Sequence, residues 1–168
     1  NEVLHLGPFK IDTTPPVPFI QGTVITTGFS LSWNATDEGS GLAAVGPYDV
    51  QYRIDSGTWL SWLTATADTS RTWTNVDPAK AYSFRCRARD ALGQVSAWSA
   101  ERTFPTTEVR VIDQAGKPVV GAEVWGGEAL WGRTDSQGKV YGHGIQGQPM
   151  IARQVERNNG VALAEQSL

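Results

Sequence analysis

The chain has 168 residues, with 14 basic and 17 acidic side chains and a formal net charge of −3 at pH 7. This length allows one or two domains of roughly 150 residues, and a hydrophobic content of 40% with seven tryptophans argues against a disordered chain. The weak negative charge argues against nucleic acid as a partner, and no apolar run reaches the roughly 18–20 residues of a membrane-spanning helix.

The first residues predict the end of one module and the start of another. The chain begins at Asn1 without a methionine or an apolar leader, in what has the pattern of a strand interior, so we expect a fragment of a longer protein. Residues 1–14 are interpreted as the end of a preceding module and a linker. The linker leads into Pro15 and Pro16, which stiffen the chain and remove two backbone donors.

An alternation of apolar and polar residues recurs between residues 15 and 105, which predicts half-buried antiparallel strands. It is clearest over residues 82–89, where an apolar or aromatic side chain at every even position is followed by serine or arginine. About seven strands are predicted, the number in an immunoglobulin-like sandwich. They cover residues 19–24, 28–33, 48–54, 59–65, 72–76, 82–89 and 95–104.

A second run of strands is predicted after Thr107. Residues 109–112 and 139–141 have the strand pattern, and residues 113–116 and 135–138 each begin with aspartate and end with glycine, which is typical of tight turns. Residues 117–124 lead into a further strand, whereas residues 155–168 fit either a helix or a strand. The predicted fold class is therefore all-β, with one sandwich followed by a second, smaller one.

Residues 15–105 resemble a bacterial fibronectin type III domain. The resemblance implies that Trp33 is the core tryptophan of the second strand and that Tyr82 is the corner tyrosine, whose hydroxyl bonds back to the backbone. The motifs that carry it are Asp12-Thr-Thr-Pro-Pro, Leu31-Ser-Trp33, Tyr48-Asp-Val-Gln-Tyr-Arg53, Trp59-Leu-Ser-Trp62, Tyr82-Ser-Phe-Arg-Cys-Arg-Ala-Arg-Asp90 and Ala91-Leu-Gly-Gln-Val-Ser-Ala-Trp98-Ser.

Residues 106–168 resemble a transthyretin-like β-sandwich of the carboxypeptidase-regulatory type, in a divergent or truncated form. The motifs are Val111-Ile-Asp-Gln-Ala-Gly-Lys-Pro-Val-Val-Gly-Ala-Glu-Val124 and Thr134-Asp-Ser-Gln-Gly138. Both families are mainly extracellular accessory modules without catalytic activity. The two resemblances therefore imply a secreted or cell-surface location and no enzyme activity.

The chain lacks the residue sets of common active sites. Its two histidines, His5 and His143, fall in different predicted modules, and no metalloprotease, serine-hydrolase, phosphate-binding or paired-cysteine motif occurs. The segments Trp125-Gly-Gly and Gly142-His-Gly are interpreted as turns or bulges. The single cysteine, Cys86, excludes an internal disulfide and is expected to pack as a small hydrophobic residue. We therefore expect neither an active site nor a cofactor.

A row of arginines is the most distinctive surface feature. It consists of Arg53, Arg85, Arg87 and Arg89, on two predicted strands. One interpretation is a patch that binds an anionic ligand. The favoured interpretation is a structural stack, in which the guanidinium groups lie on indole rings such as Trp98 and are neutralised by Asp49 and Glu101.

Two further sets of residues are candidate binding sites. Trp59 and Trp62 offer a sugar-stacking platform with Trp62 as the more exposed ring, although core filling is the favoured alternative. Asp37 and Glu38 offer carboxylates to Ca²⁺ in a glycine-rich turn. A solvated acidic turn is favoured there, so no metal is expected.

Together these observations predict a non-catalytic, extracellular spacer or adhesion fragment of a larger secreted or surface protein. The expected partners are further domains of the parent chain and either a polysaccharide or another surface protein, but not nucleic acid. The alternative function is a carbohydrate-binding accessory module of a secreted hydrolase, with its site at Trp59 and Trp62.

Overall fold

A computed structural model describes residues 11–127, 129–144, 150–153 and 166–167. The thirteen elements in this part of the chain are all strands, which confirms the predicted all-β class. No helix there has the length and apolar character needed to cross a membrane. The strands are β1 (Val17–Ile25), β2 (Gly28–Thr36), β3 (Tyr48–Ile54), β4 (Leu60–Thr66), β5 (Ser70–Thr74), β6 (Tyr82–Ala88), β7 (Arg102–Phe104), β8 (Thr107–Arg110), β9 (Glu123–Gly126), β10 (Ala129–Arg133), β11 (Lys139–Gly142), β12 (Met150–Arg153) and β13 (Gln166–Ser167).

Strands β1 to β7 form two sheets. The first has three strands in the order β1-β2-β5, and the second has four strands in the order β4-β3-β6-β7. β3 and β4 run antiparallel, with register shifts on both sides of Val50. An all-β chain with sheets of three and four strands fits the fibronectin type III-like sandwich that the sequence predicts.

Strands β8 to β13 form two further sheets, both antiparallel. One has the order β10-β9-β12-β13, and the other pairs β11 with β8. Both predicted Asp-x-x-Gly turns are present. The carboxylates of Asp113 and Asp135 accept hydrogen bonds from the backbone NH groups two and four residues later. Gly116 and Gly138 close these turns with φ values of +77° and +74°, which glycine adopts without strain.

The transthyretin-like resemblance of residues 106–168 stays a prediction. Within the ambiguous stretch 155–168, only Gln166–Ser167 belongs to the described residues, as β13. The prediction for the other residues of that stretch lies outside the described part of the chain.

The chain divides by compactness into two units, and the first comprises Asn1–Gly22, Leu31–Arg71 and Ser83–Arg102. Its core contains Trp33, Val50 and Phe84, each at most 1% exposed. These residues are the inward-facing members of β2, β3 and β6, as the alternation predicts. The indole Nε1 of Trp33 donates a hydrogen bond to the backbone oxygen of Asp68 (2.7 Å), which satisfies the polar atom that this ring brings into the core.

The second unit comprises Thr23–Ser30, Thr72–Tyr82 and Thr103–Leu168. In its core the ring of Phe29 stacks on Phe104, with centroids 4.1 Å apart and planes 9° from parallel. Tyr82 lies 5.5 Å from Phe29, and its hydroxyl accepts a hydrogen bond from the backbone NH of Asp77 (2.9 Å). This bond from side chain to backbone is the geometry that a corner tyrosine requires.

The predicted strand at residues 95–104 is shorter than expected, because only Arg102–Phe104 forms regular strand structure. Upstream of it, Ser96 and Ser99 run beside β6 and donate their backbone NH groups to the oxygens of Ala88 and Cys86. In return, the NH groups of Ala88 and Cys86 bond to the serine hydroxyls at 2.9 and 3.1 Å rather than to carbonyl oxygens. Serine hydroxyls thus take the place of backbone carbonyl acceptors along this edge. The segment therefore lacks the regular backbone hydrogen bonds of a β-strand.

Candidate functional site

Five side chains form an arginine–tryptophan stack: Arg53, Trp59, Arg85, Trp98 and Arg87. The Cζ atom of Arg85 lies 4.1 Å from the ring centroid of Trp59 and 4.6 Å from that of Trp98. Arg53 lies 4.8 Å over Trp59, and Arg87 lies 4.7 Å over Trp98. Strands β3 and β6 hold the arginines in register, because alternate residues of a strand point to the same side. The cations and rings therefore alternate in space.

Asp49 is the buried counter-ion of the arginine row. It lies on β3, only 4% exposed. Its carboxylate accepts hydrogen bonds from Nε of Arg87 (2.8 Å), from both terminal nitrogens of Arg89, and from the backbone NH of Ala65 (2.9 Å). Burial by itself raises the pKa of this carboxyl group, but these hydrogen bonds outweigh burial and hold the pKa below its ordinary value.

The other arginines of the stack also have partners in the same unit. Arg53 pairs with Glu101 at 2.7 Å, and Arg85 donates two hydrogen bonds to Oε1 of Gln51 at 3.1 and 2.7 Å. Each guanidinium therefore contacts both an indole and an acceptor, an arrangement that agrees with the structural interpretation of the row. The anionic-ligand interpretation of Arg53, Arg85 and Arg87 stays a prediction, and these contacts lend it no support.

The two tryptophans of the predicted sugar platform have different surroundings. Both rings are half-buried; Trp59 belongs to the arginine–tryptophan stack, whereas Trp62 packs against two core rings. Its centroid lies 5.9 Å from Trp33 and 5.6 Å from Phe84, with interplanar angles of 67° and 56°. The sequence interpretation made Trp62 the more exposed ring of the platform and favoured core filling for the pair; the contacts of Trp62 with two core rings agree with core filling, and the sugar platform stays a prediction. A register shift in the pairing of β3 with β4 accompanies this placement.

Asp37, a candidate metal ligand, lies in a cluster of three aspartates. Its carboxylate and those of Asp12 and Asp90 each bring one oxygen within 4.8 Å of the others. Glu38, the second candidate, is exposed. The sequence interpretation missed Asp12 and Asp90, although each opens a turn-rich segment, because the three carboxylates come from distant parts of the chain. The metal interpretation of Asp37 and Glu38 stays a prediction.

Backbone NH groups bind all three carboxylates of this cluster. Hydrogen bonds from Thr14 and then Ser40 hold the pKa of Asp12 well below its ordinary range. Such bonds fix the loops that carry the aspartates, as in other turns closed by aspartate side chains. The donors are Thr14 and Ser40 for Asp12, Gly39 and Gly41 for Asp37, and Leu92 and Gln94 for Asp90.

The second unit contains a pocket of about 590 Å³ that the sequence did not predict. This volume falls in the range of small-ligand pockets, roughly 300–1,000 Å³. None of the described lining residues is aspartate, glutamate, lysine or arginine. His143 is the one titratable group among them besides Tyr141. The lining residues run from exposed threonines to the buried Phe29: Val24, Ile25, Thr26, Thr27, Gly28, Phe29, Thr74, Asn75, Val76, Pro78, Ala129, Leu130, Trp131, Tyr141, Gly142 and His143.

Glycines determine where Trp131 lies in this pocket. A methyl group at Gly142 would come within 2.1 Å of the indole Cδ2 atom, and one at Gly126 would come within 2.4 Å of Nε1. Real side chains do not approach so closely, so the indole fits only because both positions are glycine. The sequence interpretation treated the segments that contain these glycines as turns or bulges. Their cross-strand contact with Trp131 has no local sequence signal.

Two other rings at the pocket are also held by neighbouring groups. Nδ1 of His143 donates a hydrogen bond to the backbone oxygen of Pro105 (3.0 Å), and the ring meets Phe29 edge-on at 5.0 Å. With that tautomer Nε2 is an acceptor, and it is buried without a hydrogen-bond partner among the described residues. The hydroxyl of Tyr141 donates to Glu108 at 2.6 Å. The aromatic walls are therefore fixed before any ligand arrives.

Comparison with known proteins finds relatives among polysaccharide-degrading enzymes, while no family model matches the chain. Endoglucanase B of Cellulomonas fimi is 38% identical over 99 residues, and Exoglucanase A of the same organism is 41% identical over 100 residues. Chitinase Chi52 of Paenibacillus xylanexedens is 34% identical over 99 residues. The matches cover 57–60% of this chain but only 9–17% of the relatives' own length.

Proposed function

We propose that this chain is a non-catalytic, extracellular accessory module of a larger polysaccharide-degrading enzyme. The observation that carries the proposal is that an endoglucanase, an exoglucanase and a chitinase each match about 100 residues of this chain. A segment that occurs in enzymes named for different reactions and substrates has a role that does not depend on any one of those reactions. The segment is also a small part of each relative, which leaves room for a catalytic domain elsewhere.

The side-chain contacts support a stabilising rather than a reactive role for the most conspicuous polar residues. Arg85 and Arg87 stack on indoles, and Asp49 bonds to two arginines and a backbone NH group. Cys86 is 0% exposed and burial raises the pKa of its thiol to about 11, so the chain carries no accessible thiol that an oxidising environment would modify. Such a chain suits a secreted enzyme.

The spacer interpretation is part of this proposal, because an accessory module separates other domains of its enzyme. Adhesion to another surface protein has no support from the relatives. The accessory interpretation, which was the alternative at the level of sequence, therefore replaces adhesion as the main function.

A segment exchange tests the proposal. The matching 99-residue segment of Endoglucanase B from Cellulomonas fimi is replaced by this chain, deleted, or replaced by a Gly/Ser linker with the same number of residues. We expect the exchange to retain activity on insoluble cellulose, while deletion and the flexible linker reduce it and leave activity on soluble cellodextrins unchanged. Equal loss in the exchange and the deletion would reject the accessory role, as would full activity with the flexible linker.

A further inference from the structure

The pocket of the second unit has the features of a preformed ligand site. It extends from Thr26 and Thr27, which are exposed in the turn between β1 and β2, to Phe29, which is 0% exposed. Trp131 is held by glycine contacts and Tyr141 by its bond to Glu108. Walls that are fixed in the absence of a ligand lower the ordering cost of binding.

The chemistry of the lining selects a neutral, amphipathic ligand. Its polar groups are the hydroxyls of threonines and Tyr141, the amide of Asn75 and the imidazole of His143, while its apolar surface comes from Phe29, Trp131 and aliphatic residues. A charged ligand would lose its hydration on entering this pocket, and the lining offers no carboxylate, lysine or arginine to compensate for that loss. Desolvation of the charge would therefore be costly. A pyranose ring carries hydroxyls at its edge and C–H groups on its faces, which matches both kinds of surface.

We propose that this pocket binds a sugar ring of a neutral polysaccharide, with Trp131 and Tyr141 as the aromatic surface and Thr26, Thr27 and Asn75 as hydrogen-bonding groups. The proposal deepens the accessory function and rests on it for the class of ligand. It places sugar binding in the second unit rather than at Trp59 and Trp62, whose rings contact arginines and core side chains.

Isothermal titration calorimetry of the whole chain tests this site with three probes. Cellohexaose and chitohexaose are neutral and represent the two kinds of polymer named by the relatives, and hexagalacturonate has a similar ring size but a negative charge at each unit. We expect heat of binding from one or both neutral oligomers and none from hexagalacturonate. If none of the three binds, or if hexagalacturonate binds at least as tightly as the neutral oligomers, the assignment is overturned.

Matched variants then locate the site. Thr27→Arg puts a long charged side chain at an exposed position of the pocket, and we expect at least a tenfold loss of affinity, about 1.4 kcal/mol. Thr69→Arg makes the same change at an exposed position outside the lining and is expected to leave affinity unchanged. Trp131→Ala is expected to weaken binding as well, with its thermal unfolding measured in parallel because the ring also packs.

The outcomes separate the two proposals. Loss of affinity in Thr27→Arg but not in Thr69→Arg or Trp59→Ala supports the pocket. Loss in Trp59→Ala with unchanged affinity in Thr27→Arg overturns it and returns the sugar site to Trp59. If the native chain binds no sugar while the segment exchange retains activity on insoluble cellulose, the pocket assignment fails and the accessory function stands.

Discussion

The thiol of Cys86 is enclosed by the first unit. Its sulfur lies 3.3 Å from the backbone oxygen of Phe19, and the residue is 0% exposed. Burial raises its pKa to about 11, an effect that a hydrogen bond with Ser99 only partly reverses. Both the protonation of the thiol at neutral pH and its lack of contact with solvent work against nucleophilic attack.

We therefore predict that Cys86 does not react with an aromatic disulfide reagent in the native state at pH 8. In a denaturant the same sample is expected to release one equivalent of chromophore, because unfolding exposes the thiol and restores an ordinary pKa. Native labelling at a rate close to that of the denatured chain would contradict the packing role.

Asp49 is expected to make the free energy of unfolding depend on pH in the acidic range. Its pKa is lower in the folded chain than in the unfolded chain, because the bonds from Arg89, Ala65 and Arg87 outweigh the opposing effect of burial. A carboxyl group with a depressed pKa stabilises the fold above its unfolded-state pKa of about 3.9, and this contribution is lost as the pH falls through the folded-state value.

Asp49→Asn is therefore predicted to reduce the free energy of unfolding at pH 7 by about 2 kcal/mol, the typical worth of hydrogen bonds to a charged group. The deficit should begin to shrink below about pH 4, where the carboxyl group of the unfolded chain takes up a proton, and it should vanish once the pH falls below the lower folded-state pKa. Urea unfolding at pH 7, 5, 4 and 3 measures both effects. A deficit that stays constant down to pH 3 would show that charge is not the cause.

At the scale of the element, strand β6 combines a core face with a stacking face. Arg85 lies between two indoles at 4.1 and 4.6 Å, and a cation over an aromatic face is worth about 0.5–2 kcal/mol. A double-mutant cycle with Arg85→Met and Trp98→Leu is predicted to give a favourable coupling energy in that range. The matched pair Arg71→Met and Trp98→Leu, with Arg71 on β5, is expected to be additive. Equal coupling in both cycles, measured by urea unfolding, would argue against stacking.

The elements also show what local sequence patterns predict well. The alternation over residues 82–89 correctly places Phe84 and Cys86 in the core, because a side chain's face depends only on its position along the strand. The turns at Asp113 and Asp135 are equally local, since each aspartate bonds to its own following residues. The segment before Arg102 is shorter than predicted because serine hydroxyls replace carbonyl acceptors, and alternation carries no signal for that exchange.

Candidate sites depend on contacts between residues that are distant in sequence, and the sequence predicts these less well. The arginine row is visible because Arg85, Arg87 and Arg89 alternate along one predicted strand, and stacking on Trp98 is the favoured sequence interpretation of that row. The contact of Trp131 with Gly126 and Gly142 joins three strands. Nothing in the neighbourhood of any of the three residues predicts that contact, and the pocket was missed for this reason.

The chain can be divided by its β-sheets or by its compact units, and the two divisions place their boundaries at different residues. No described sheet combines strands from before and after Pro105, and the module boundary at that position stays a prediction. The second compact unit nevertheless contains Thr23–Ser30 and Thr72–Tyr82 together with the residues from 103 onward. Within that unit, the ring of His143 meets Phe29 at 5.0 Å and Tyr82 at 5.9 Å.

A fragment of residues 11–105 distinguishes these two divisions. We predict that it folds, because its seven strands pair only with one another in the described sheets, but that it is less stable than the whole chain. The expected loss from the missing His143 ring is about 1–3 kcal/mol, because the ring pairs with both Phe29 and Tyr82 and each aromatic pair contributes about 0.5–1.5 kcal/mol. His143→Ala in the whole chain should reproduce part of that loss in urea unfolding. A fragment without a cooperative transition would instead show that the fold needs the second unit intact, and the boundary at residue 105 would then be wrong.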